Sequence, residues 1–486
     1  MMADYDVVVV GAGAAGLCAA VTAAEAGASV LVAEASDAAG GASQFSAGLV
    51  MAAGTRFQRE RGIEDSPETL LHEYLAFNRW SVETGVARRL AEESGPTVEW
   101  LADRGAGVSD IYFSGDDRVP RGHVIEGGGA AIVACLLSAA QADPRVDLAF
   151  GRRVDRLLTA GVGGGATGGG GGVGAGVGGS VGGGVVTGVA VGEDQVTAGA
   201  VVLAAGGFGA NKDLWPQYLP RAVEAEWTFY IGPPTARGDA FALAGALGAQ
   251  IVGHDRGLLN ARPNFSQSMD SYYPGWLVFV DRQGQRFVNE MTAYSVIEST
   301  IRARGGRVWA IFDDAAKHAA VPRSTAAAKK YDMPTGTNWE DWVEPVIEEM
   351  LGKNRVLAAA GIDELAVKMG VEPAALAGTV RRYNSDVAAG HDTMFEKPSR
   401  ALRSIDEPPF YATELRLCNL ALTGAGPRVN RDGQVLDHGA TPIPGLFAAG
   451  ECAGGVLGEI YMGSGNALAN AITFGRVAGQ HAAKSA

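Results

Sequence analysis

The sequence predicts an α/β fold with two domains, and two observations support that prediction. At the N-terminus, the apolar run from Asp6 to Val10 leads into a glycine-rich turn, a helix-like stretch and a second apolar run, SVLVAEA. This order of strand, turn, helix and strand is typical of a parallel sheet covered by helices. The chain has 486 residues, of which 47% are hydrophobic and 19% charged, so it can bury two domain cores.

Composition and charge narrow the class of protein. The formal net charge of -14 argues against binding to nucleic acid or acidic lipid, because both require positive charge on the protein surface. No apolar run approaches the roughly 20 residues that cross a bilayer. The chain also passes from MMADYD directly into the first strand. We therefore expect a cytoplasmic protein with no integral membrane segment.

The residue pattern gives no support for metal or disulfide chemistry. The four cysteines, Cys18, Cys135, Cys418 and Cys452, are widely spaced and include no CxxC pair. Such spacing does not match a zinc site or a disulfide framework. It is typical of proteins from a reducing compartment. The seven histidines show no ligand spacing, so we expect no catalytic metal.

The first apolar run ends in a dinucleotide-binding fingerprint, GAGAAG, whose glycines are Gly11, Gly13 and Gly16. In such a Rossmann-like unit the first glycine permits a tight turn and the second lets the backbone approach a pyrophosphate. The third lets helix and strand pack closely. The helix N-terminus attracts the diphosphate through its free N–H groups and dipole. Glu34 follows about 20 residues later, where a carboxylate accepts hydrogen bonds from the adenosine ribose.

Three further segments decide between NAD and FAD. They are GGASQFSAG at 40–48, VVLAAGGFGANKDL at 201–214 and PIPGLFAAGECAGG at 442–455. In this order they resemble the flavin-binding motifs of the fumarate reductase flavoprotein family, and the resemblance covers nearly the whole chain. It implies FAD, with Glu451 hydrogen-bonded to a ribityl or ribose hydroxyl and a helix N-terminus near Asn466 beside the flavin. The residues expected to contact FAD are Gly11, Gly13, Ala14, Ala15, Gly16, Glu34, Ala35, Gly41, Ala42, Ser43, Ser46, Ala47, Gly48, Ala205, Gly206, Gly450, Glu451, Asn466, Ala467 and Leu468.

The resemblance also implies how the chain is organised and how the cofactor is held. Residues 1–252 and 412–486 would form a Rossmann-like FAD-binding domain, and residues 253–411 an inserted α+β capping domain for the substrate. Family members with covalent flavin carry a histidine in the segment after the first glycine pair, where this sequence has Gln44. We therefore expect FAD to be bound non-covalently.

A glycine-dominated tract at 160–184 lies between the strand-like pieces VDRLL and VVTGVAV. Glycine there maximises the entropy lost on ordering and supplies no side chains for packing. We predict an expanded hairpin loop within the FAD-binding domain. A segment that binds a partner is the alternative interpretation.

Two segments that carry the active site in fumarate reductases differ in this chain. RFVNEMTA is followed by Tyr294, where the family has a catalytic arginine. IYMGSGNAL has Met462 in place of an arginine that binds a carboxylate, and the segment that holds a histidine in the family reads NLALTGAG. The residues needed to bind a dicarboxylate are therefore missing, and a neutral carbonyl compound is the better match.

The pattern is closer to that of the 3-ketosteroid dehydrogenases, which share the fold and use tyrosines. That resemblance implies that Tyr294 abstracts a proton beside the ketone, while Tyr461 and the N–H of Gly465 bind the ketone oxygen. A C–H beside a ketone is weakly acidic, so each donor to the oxygen stabilises the developing enolate by about 3 kcal/mol. A phenol, whose ordinary pKa is about 10, acts as a base near neutrality only if hydrogen bonds stabilise its phenolate.

Four other aromatic residues have two interpretations each. Tyr112, in SDIYFSG, is the candidate helper of Tyr294, because the steroid enzymes place a supporting tyrosine in this region; an ordinary packed aromatic is the alternative. Tyr272, Tyr273 and Trp276 either line an apolar substrate pocket or pack in a core.

Together these residues predict an FAD-dependent oxidoreductase that desaturates a small-molecule ketone. A 3-ketosteroid is the first candidate, and a smaller cyclohexanone-type ketone is the alternative. Tyr294 would take the α-proton, the β-hydride would pass to flavin N5, and an external electron acceptor would reoxidise the flavin. Two further hypotheses stay open. One is an ene-reductase for an acrylate or fumarate, which needs cationic anchors in the cap; the other is a non-catalytic flavin-binding protein.

Overall fold

The computed structural model of the protein describes residues 3–115, 117–161, 184–266, 273–319 and 340–486. The chain divides into two compact units. Unit 1 contains Met1–Tyr218, Gly232–Gly257 and Leu422–Ala486, and unit 2 contains Leu219–Ile231 and Leu258–Ala421. These limits differ from the sequence-based limits of 252 and 412 in three ways. Leu219–Ile231 is part of unit 2, residues 253–257 belong to unit 1, and the chain returns to unit 1 at Leu422.

A parallel sheet forms the centre of unit 1. Strand β1 (Tyr5–Val10) lies between β2 (Val30–Ala33) and β9 (Asp194–Leu203), and the three run parallel. β1 is buried from Val7 to Val10, which explains its unbroken run of valines. The other strands of unit 1 are β3 (Leu49–Met51), β4 (Val108–Tyr112), β5 (Gly122–Ile125), β6 (Val146–Ala149), β7 (Arg156–Ala160), β8 (Val185–Val191), β11 (Ile251–Val252), β17 (Gly426–Pro427), β18 (Gln434–Leu436) and β19 (Pro442–Ala448).

The strand order of this sheet places the cofactor motifs at one edge. The order is β18, β19, β9, β1, β2, β6, and β19 runs parallel to β9. The glycine turn follows β1, Glu34 follows β2, and the 201–214 and 442–455 motifs contain the ends of β9 and β19. Because the carboxyl ends of parallel strands meet at the same edge, the four motifs converge there.

Helices with small residues cover the sheet closely. Helix α1 (Ala14–Glu25) packs on α14 (Asn466–Ser485), where an added Cβ at Gly475 would lie 2.4 Å from the carbonyl oxygen of Ala15. Only glycine allows this approach of the two backbones. The other helices of unit 1 are α2 (Arg56–Glu60), α3 (Pro67–Phe77), α4 (Thr84–Ala102), α5 (Gly128–Ala142), α6 (Trp215–Tyr218) and α8 (Asp239–Gly245).

Two smaller antiparallel arrangements complete unit 1. β3, β5 and β4 form a three-stranded sheet that carries Tyr112 at the end of β4. β7 pairs with β8, which pairs with β9. The strand-like pieces on both sides of the glycine-dominated tract therefore form the predicted hairpin, and residues 162–183 of the tract lie outside the described residues.

Unit 2 is built on a mixed sheet around the long strand β16 (Phe410–Thr423), in the order β10, β16, β14, β13 with β12 and β15 also paired to β16. Those strands are β10 (Phe229–Tyr230), β12 (Gly257–Pro263), β13 (Val278–Val280), β14 (Arg307–Asp313) and β15 (Leu357–Ala359). Its helices are α7 (Pro220–Glu224), α9 (Tyr294–Arg302), α10 (Asp314–Ala319), α11 (Glu344–Gly352), α12 (Ile362–Met369) and α13 (Pro373–Ala389). Of the helices described in either unit, none is long and apolar enough to span a membrane.

A buried ion cluster holds the segment RFVNE in unit 2. Arg286 donates from Nε and Nη2 to the two carboxylate oxygens of Glu290, each at 2.9 Å, and pairs with Asp392 at 2.8 Å. Lys397 lies 3.1 Å from Glu290. Although burial alone would raise it, the pKa of Glu290 is held below its ordinary value by Lys397 and Arg286. The cluster fixes the start of the segment that leads to Tyr294.

Candidate active site

The glycine turn after β1 has no room for side chains at two positions. Gly11 has φ +108°, and an added Cβ would lie 2.4 Å from the carbonyl oxygen of Ala204. At Gly16 an added Cβ would lie 1.9 Å from the oxygen of Gly11. At Gly13, the residue before α1, an added Cβ would meet no atom closer than 3.9 Å. The turn is therefore closed towards the sheet and open in front of the helix N-terminus.

Glu34 lies at the predicted ribose position and also forms hydrogen bonds with the glycine turn. Its carboxylate accepts hydrogen bonds from the N–H of Ala12 at 2.6 Å and of Ser36 at 2.8 Å. Each carboxylate oxygen keeps a further lone pair that can accept from a hydroxyl. Glu34 thus fixes the turn and remains chemically able to bind a ribose.

Residues 40–48 lie beside the same turn. Gly13 forms an isolated parallel bridge with this segment, and the N–H of Ala14 donates to Ser43 Oγ at 3.3 Å. From α5, the N–H of Gly129 donates to the carbonyl oxygen of Ser46 at 3.0 Å. The segment therefore lies next to the N-termini of two helices, where free N–H groups favour an anion.

Glu451 is fixed beside the Ala205–Gly206 turn. Its Oε1 accepts from the backbone N–H and the hydroxyl of Thr423, both at 2.8 Å, while Oε2 accepts from no atom of the described residues. Burial raises the pKa of Glu451. At Gly206, φ is +72° and nothing lies within 4 Å of an added Cβ. One carboxylate oxygen and an open turn are therefore available to a ligand at this point.

These features fit FAD. The open turn at Gly13 and the helix N-termini suit its diphosphate, Glu34 suits its ribose, and the free oxygen of Glu451 suits a ribityl or ribose hydroxyl. The N-terminus of α14, at Asn466, suits the electron-rich edge of a reduced flavin. The sequence-predicted contacts thus converge within unit 1.

Tyr461 and Gly465 lie at the start of α14. Tyr461 is buried, and its hydroxyl oxygen accepts the N–H of Ala467, in the first turn of the helix, at 3.1 Å. Burial raises the pKa of Tyr461 well above its ordinary value. Gly465 has φ +93° and packs on β3, where its carbonyl oxygen accepts the N–H of Met51 at 3.2 Å. The N–H of Gly465 donates to no described residue, so Tyr461 and Gly465 present a protonated phenol and a free N–H near one helix N-terminus.

The segment after Tyr112 pairs with the loop that carries Tyr461. Gly115 and Gly463 form an isolated antiparallel bridge, and the N–H of Ser464 donates to the carbonyl oxygen of Ser114 at 2.6 Å. An added Cβ at Gly463 would lie 2.5 Å from that same carbonyl oxygen. The structure therefore brings Tyr112, Tyr461 and Gly465 into one part of unit 1.

A buried charge cluster that sequence reasoning missed supports this pairing. Asp117 accepts the N–H of Ser114 at 2.8 Å and lies 3.8 Å from Arg121. Arg121 pairs in turn with Asp65 at 2.7 Å and with Glu73. Burial raises the pKa of Asp117 to about 6. Nothing in SGDDRVPRG distinguishes these residues from an exposed charged loop, so the sequence alone offered no signal.

Tyr294 lies in unit 2, as the first residue of α9, and is 6% exposed. The side chain therefore sits in the first turn of a helix, where the dipole favours negative charge. Tyr273 donates to the carbonyl oxygen of Ala261 at 2.6 Å, and the ring of Trp276 meets that of Phe312 edge-on at 5.3 Å. Tyr273 is buried inside unit 2, which agrees with the core-packing interpretation, whereas Trp276 is only partly buried. Tyr272 lies outside the described residues.

Comparison with known proteins gives the family. The model of the family described as FAD binding domain matches residues 6–468. A probable fumarate reductase, Ifc3, of Shewanella frigidimarina is 33% identical, with 99% of this chain and 75% of that protein covered. The NADH:fumarate oxidoreductase of Klebsiella pneumoniae is 31% identical over 99% of this chain, which spans only 48% of that relative's length.

A solved structure extends the comparison to ketone chemistry. The 3-ketosteroid-Δ4-(5α)-dehydrogenase of Rhodococcus jostii RHA1, in complex with 4-androstene-3,17-dione, is 26% identical with a TM-score of 0.74. The alignment covers 99% of this chain and 98% of that one. The α/β fold with an FAD-binding domain is thereby confirmed, and so is the expectation of FAD as cofactor. The chain belongs to the FAD binding domain family of oxidoreductases, within the fumarate reductase and succinate dehydrogenase flavoprotein superfamily.

Proposed function

We propose that this protein dehydrogenates a cyclic ketone to its α,β-unsaturated product, with a 3-ketosteroid as the favoured substrate class. The observation that carries the proposal is the pair of donors at the start of α14, the buried Tyr461 hydroxyl and the free N–H of Gly465. The likeness to a structure solved with a 3-ketosteroid supports the choice of substrate.

Tyr461 suits the binding of a ketone oxygen better than the abstraction of a proton. Burial raises its pKa, so the phenol stays protonated near neutrality and donates a hydrogen bond. The bond that it accepts from Ala467 N–H polarises the hydroxyl and strengthens it as a donor. With the N–H of Gly465 as second donor, each contributes about 3 kcal/mol to stabilising an enolate oxygen.

Tyr294 is the proposed base. It lies in the first turn of α9, where the helix dipole stabilises the negative charge of a phenolate. A hydrogen bond to the phenolate would lower its energy further, and Tyr112 is the candidate for that role from the sequence resemblance. Bound FAD supplies the acceptor for the hydride that leaves the β-carbon, and an external electron acceptor restores it.

Anaerobic mixing of the yellow FAD-loaded protein with a panel of 3-ketosteroids and cyclohexanones tests this proposal. We expect at least one ketone to bleach the flavin absorbance. If no ketone bleaches the flavin, and fumarate instead rapidly reoxidises the chemically reduced protein, the proposal is wrong. Comparing steroids with cyclohexanones in the same panel separates the two ketone classes.

A fumarate-type reductase is the second candidate, because the two sequence relatives described above carry that name. A reductase of this type needs cationic side chains for its substrate carboxylates. The positions where the family has them hold Tyr294 and Met462 here, and Met462 is buried. The fumarate arm of the same experiment distinguishes this candidate from the first.

A further inference from the structure

Strand β12 carries two polar side chains inside an otherwise apolar, fully buried strand. It reads GLLNARP, and Asn260 and Arg262 are 3% and 2% exposed. Residues two apart on a strand lie on the same face. Burying a polar residue and a charge side by side is costly unless both find partners. Arg262 lies one residue before the end of the strand and is part of no sequence motif, so its role could not be predicted from the sequence.

Among the described residues, Arg262 has no partner of the kind that a buried charge requires. Its Nη1 donates to the carbonyl oxygen of Ala261 at 3.0 Å, and the guanidinium lies 5.5 Å from the ring centroid of Tyr273. Its Nε and Nη2 are closed to solvent and bond to no atom of the described residues. Neither does it form an ion pair with any carboxylate in the described part of the chain. Asn260 Oδ1 on the same face is also without a hydrogen bond.

The other buried arginines of the described chain all meet carboxylates. They are Arg121, Arg221, Arg286 and Arg416. Two of them show which edge of the guanidinium is used. Arg121 donates from Nε and Nη2 to both oxygens of Asp65 at 2.7 and 2.8 Å, and Arg286 does the same to Glu290. This Nε and Nη2 edge is the one that Arg262 leaves unbonded.

We propose that Arg262 binds a carboxylate group carried by the substrate, so that the substrate is a keto acid. A guanidinium does not lose its proton in a protein, so its buried charge needs a counter-charge, and the described residues supply none. Its planar fork matches a carboxylate with two parallel hydrogen bonds. The Asn260 amide on the same face can add a further hydrogen bond. This inference rests on the proposed function, because it names the substrate class of that reaction.

The first test measures anion binding without turnover. Thermal unfolding of the FAD-loaded protein is followed with added acetate or cyclohexanecarboxylate, and with chloride or sulfate at equal ionic strength. We expect the carboxylates to raise Tm in the wild type and to have no effect on Arg262→Met. Equal stabilisation by chloride or sulfate, or none by any carboxylate, would overturn the carboxylate site.

The stability of Arg262→Met shows whether Arg262 forms a ligand site or has a structural role. Without added anion, Arg262→Met should unfold at the same Tm as the wild type or higher, because it removes an uncompensated buried charge. Arg221→Met is the matched control, since Arg221 pairs with Glu298 at 2.5 Å in the same unit, and it should lower Tm. If Arg262→Met unfolds below the wild type or fails to fold, Arg262 is structural and the proposal is wrong.

The second test measures substrate preference with matched pairs. Each pair is a ketone with a carboxylate, in the steroid or the cyclohexanone series, and its methyl ester. Wild-type kcat/KM should favour the acid by about 100-fold, the effect of a charge-assisted bidentate contact, and Arg262→Met should reduce that ratio to a few-fold. Equal use of acid and ester by the wild type would overturn the inference but leave ketone dehydrogenation intact. If no ketone reacts, the proposed function fails, and the Tm measurements still decide the anion site.

Discussion

The glycine turn of unit 1 and the segment before Tyr294 in unit 2 are held by different kinds of contact. In unit 1, glycines let backbones meet, as at Gly16 against Gly11 and at Gly475 against Ala15. In unit 2, the segment before Tyr294 is fixed by a buried ion cluster, in which Glu290 joins Arg286 to Lys397. Gly11 and Gly16 lie at a fixed spacing within one segment, whereas Lys397 comes from a part of the sequence distant from Glu290. The cofactor unit is therefore easy to recognise from sequence, and the other unit is not.

The substitution with the largest expected effect on turnover tests whether Tyr294 of unit 2 is the catalytic base. Tyr294→Phe should keep its FAD absorbance and lose about 10³-fold in kcat, because only the proton acceptor is removed. Tyr383→Phe is the matched control in unit 2 and should turn over normally, since among the described residues its hydroxyl accepts only the N–H of Arg403, at 3.4 Å. Near-normal turnover by Tyr294→Phe would remove Tyr294 from the mechanism.

The next largest effect on turnover is expected from the hydrogen-bond donors to the ketone oxygen in unit 1. Tyr461→Phe should reduce kcat by about 10²-fold, because one donor to the developing oxyanion is lost while Gly465 remains. Tyr5→Phe, whose hydroxyl bonds Asp147 at 2.8 Å at the start of β1, serves as the control. Steady-state kinetics should show the loss in kcat. A loss confined to KM would mean that Tyr461 binds the substrate without acting in the transition state.

A smaller effect probes the glycine packing of unit 1. At Gly16 an added Cβ would lie 1.9 Å from a backbone oxygen, so Gly16→Ala should displace the turn and weaken FAD binding about tenfold. Gly85 lies in α4 with nothing within 4 Å of an added Cβ, and Gly85→Ala should leave affinity unchanged. Titration of each apoprotein with FAD measures this. Unchanged affinity in Gly16→Ala would show that the turn is not the diphosphate site.

The smallest effect is on stability and depends on pH. Asp117, with its pKa raised to about 6 by burial, faces Arg121 and Glu73, and Asp65 lies on the far side of Arg121. Since the native state holds this proton more tightly than the unfolded chain, the Asp117 contribution to stability is full below pH about 4. It is lost as the pH rises through about 6, an effect of about 1–3 kcal/mol.

Denaturant unfolding of Asp117→Asn and wild type between pH 4 and 7 checks this sign. The amide of the variant retains an oxygen that accepts the N–H of Ser114. Because the amide does not titrate, the unfolding free energy of the variant should fall less than that of the wild type as the pH rises. Parallel pH curves for the two proteins would contradict the assignment. Measuring kcat of both proteins over the same pH range shows whether the Gly115–Gly463 pairing affects the function of Tyr461.

Particular residues show how far the sequence can be used. The sequence predicts cofactor contacts at the GAGAAG turn, Glu34 and Glu451 because cofactor binding imposes residue types at fixed spacings along one segment. The pairing of Gly115 with Gly463 was not, because the two glycines come from distant segments that only the fold brings together. Arg262 was missed for a related reason, since what distinguishes it is the absence of a partner around a buried side chain.

The most direct test of ketone dehydrogenation is a single anaerobic turnover with product analysis. The FAD-loaded protein is mixed with one equivalent of a cyclic ketone, flavin absorbance is followed, and the recovered ketone is weighed by mass spectrometry. We expect bleaching of the flavin and a product lighter by two hydrogen atoms, with a double bond conjugated to the carbonyl. An unchanged flavin with every ketone of both classes, together with oxidation of the reduced protein by fumarate, would contradict this expectation.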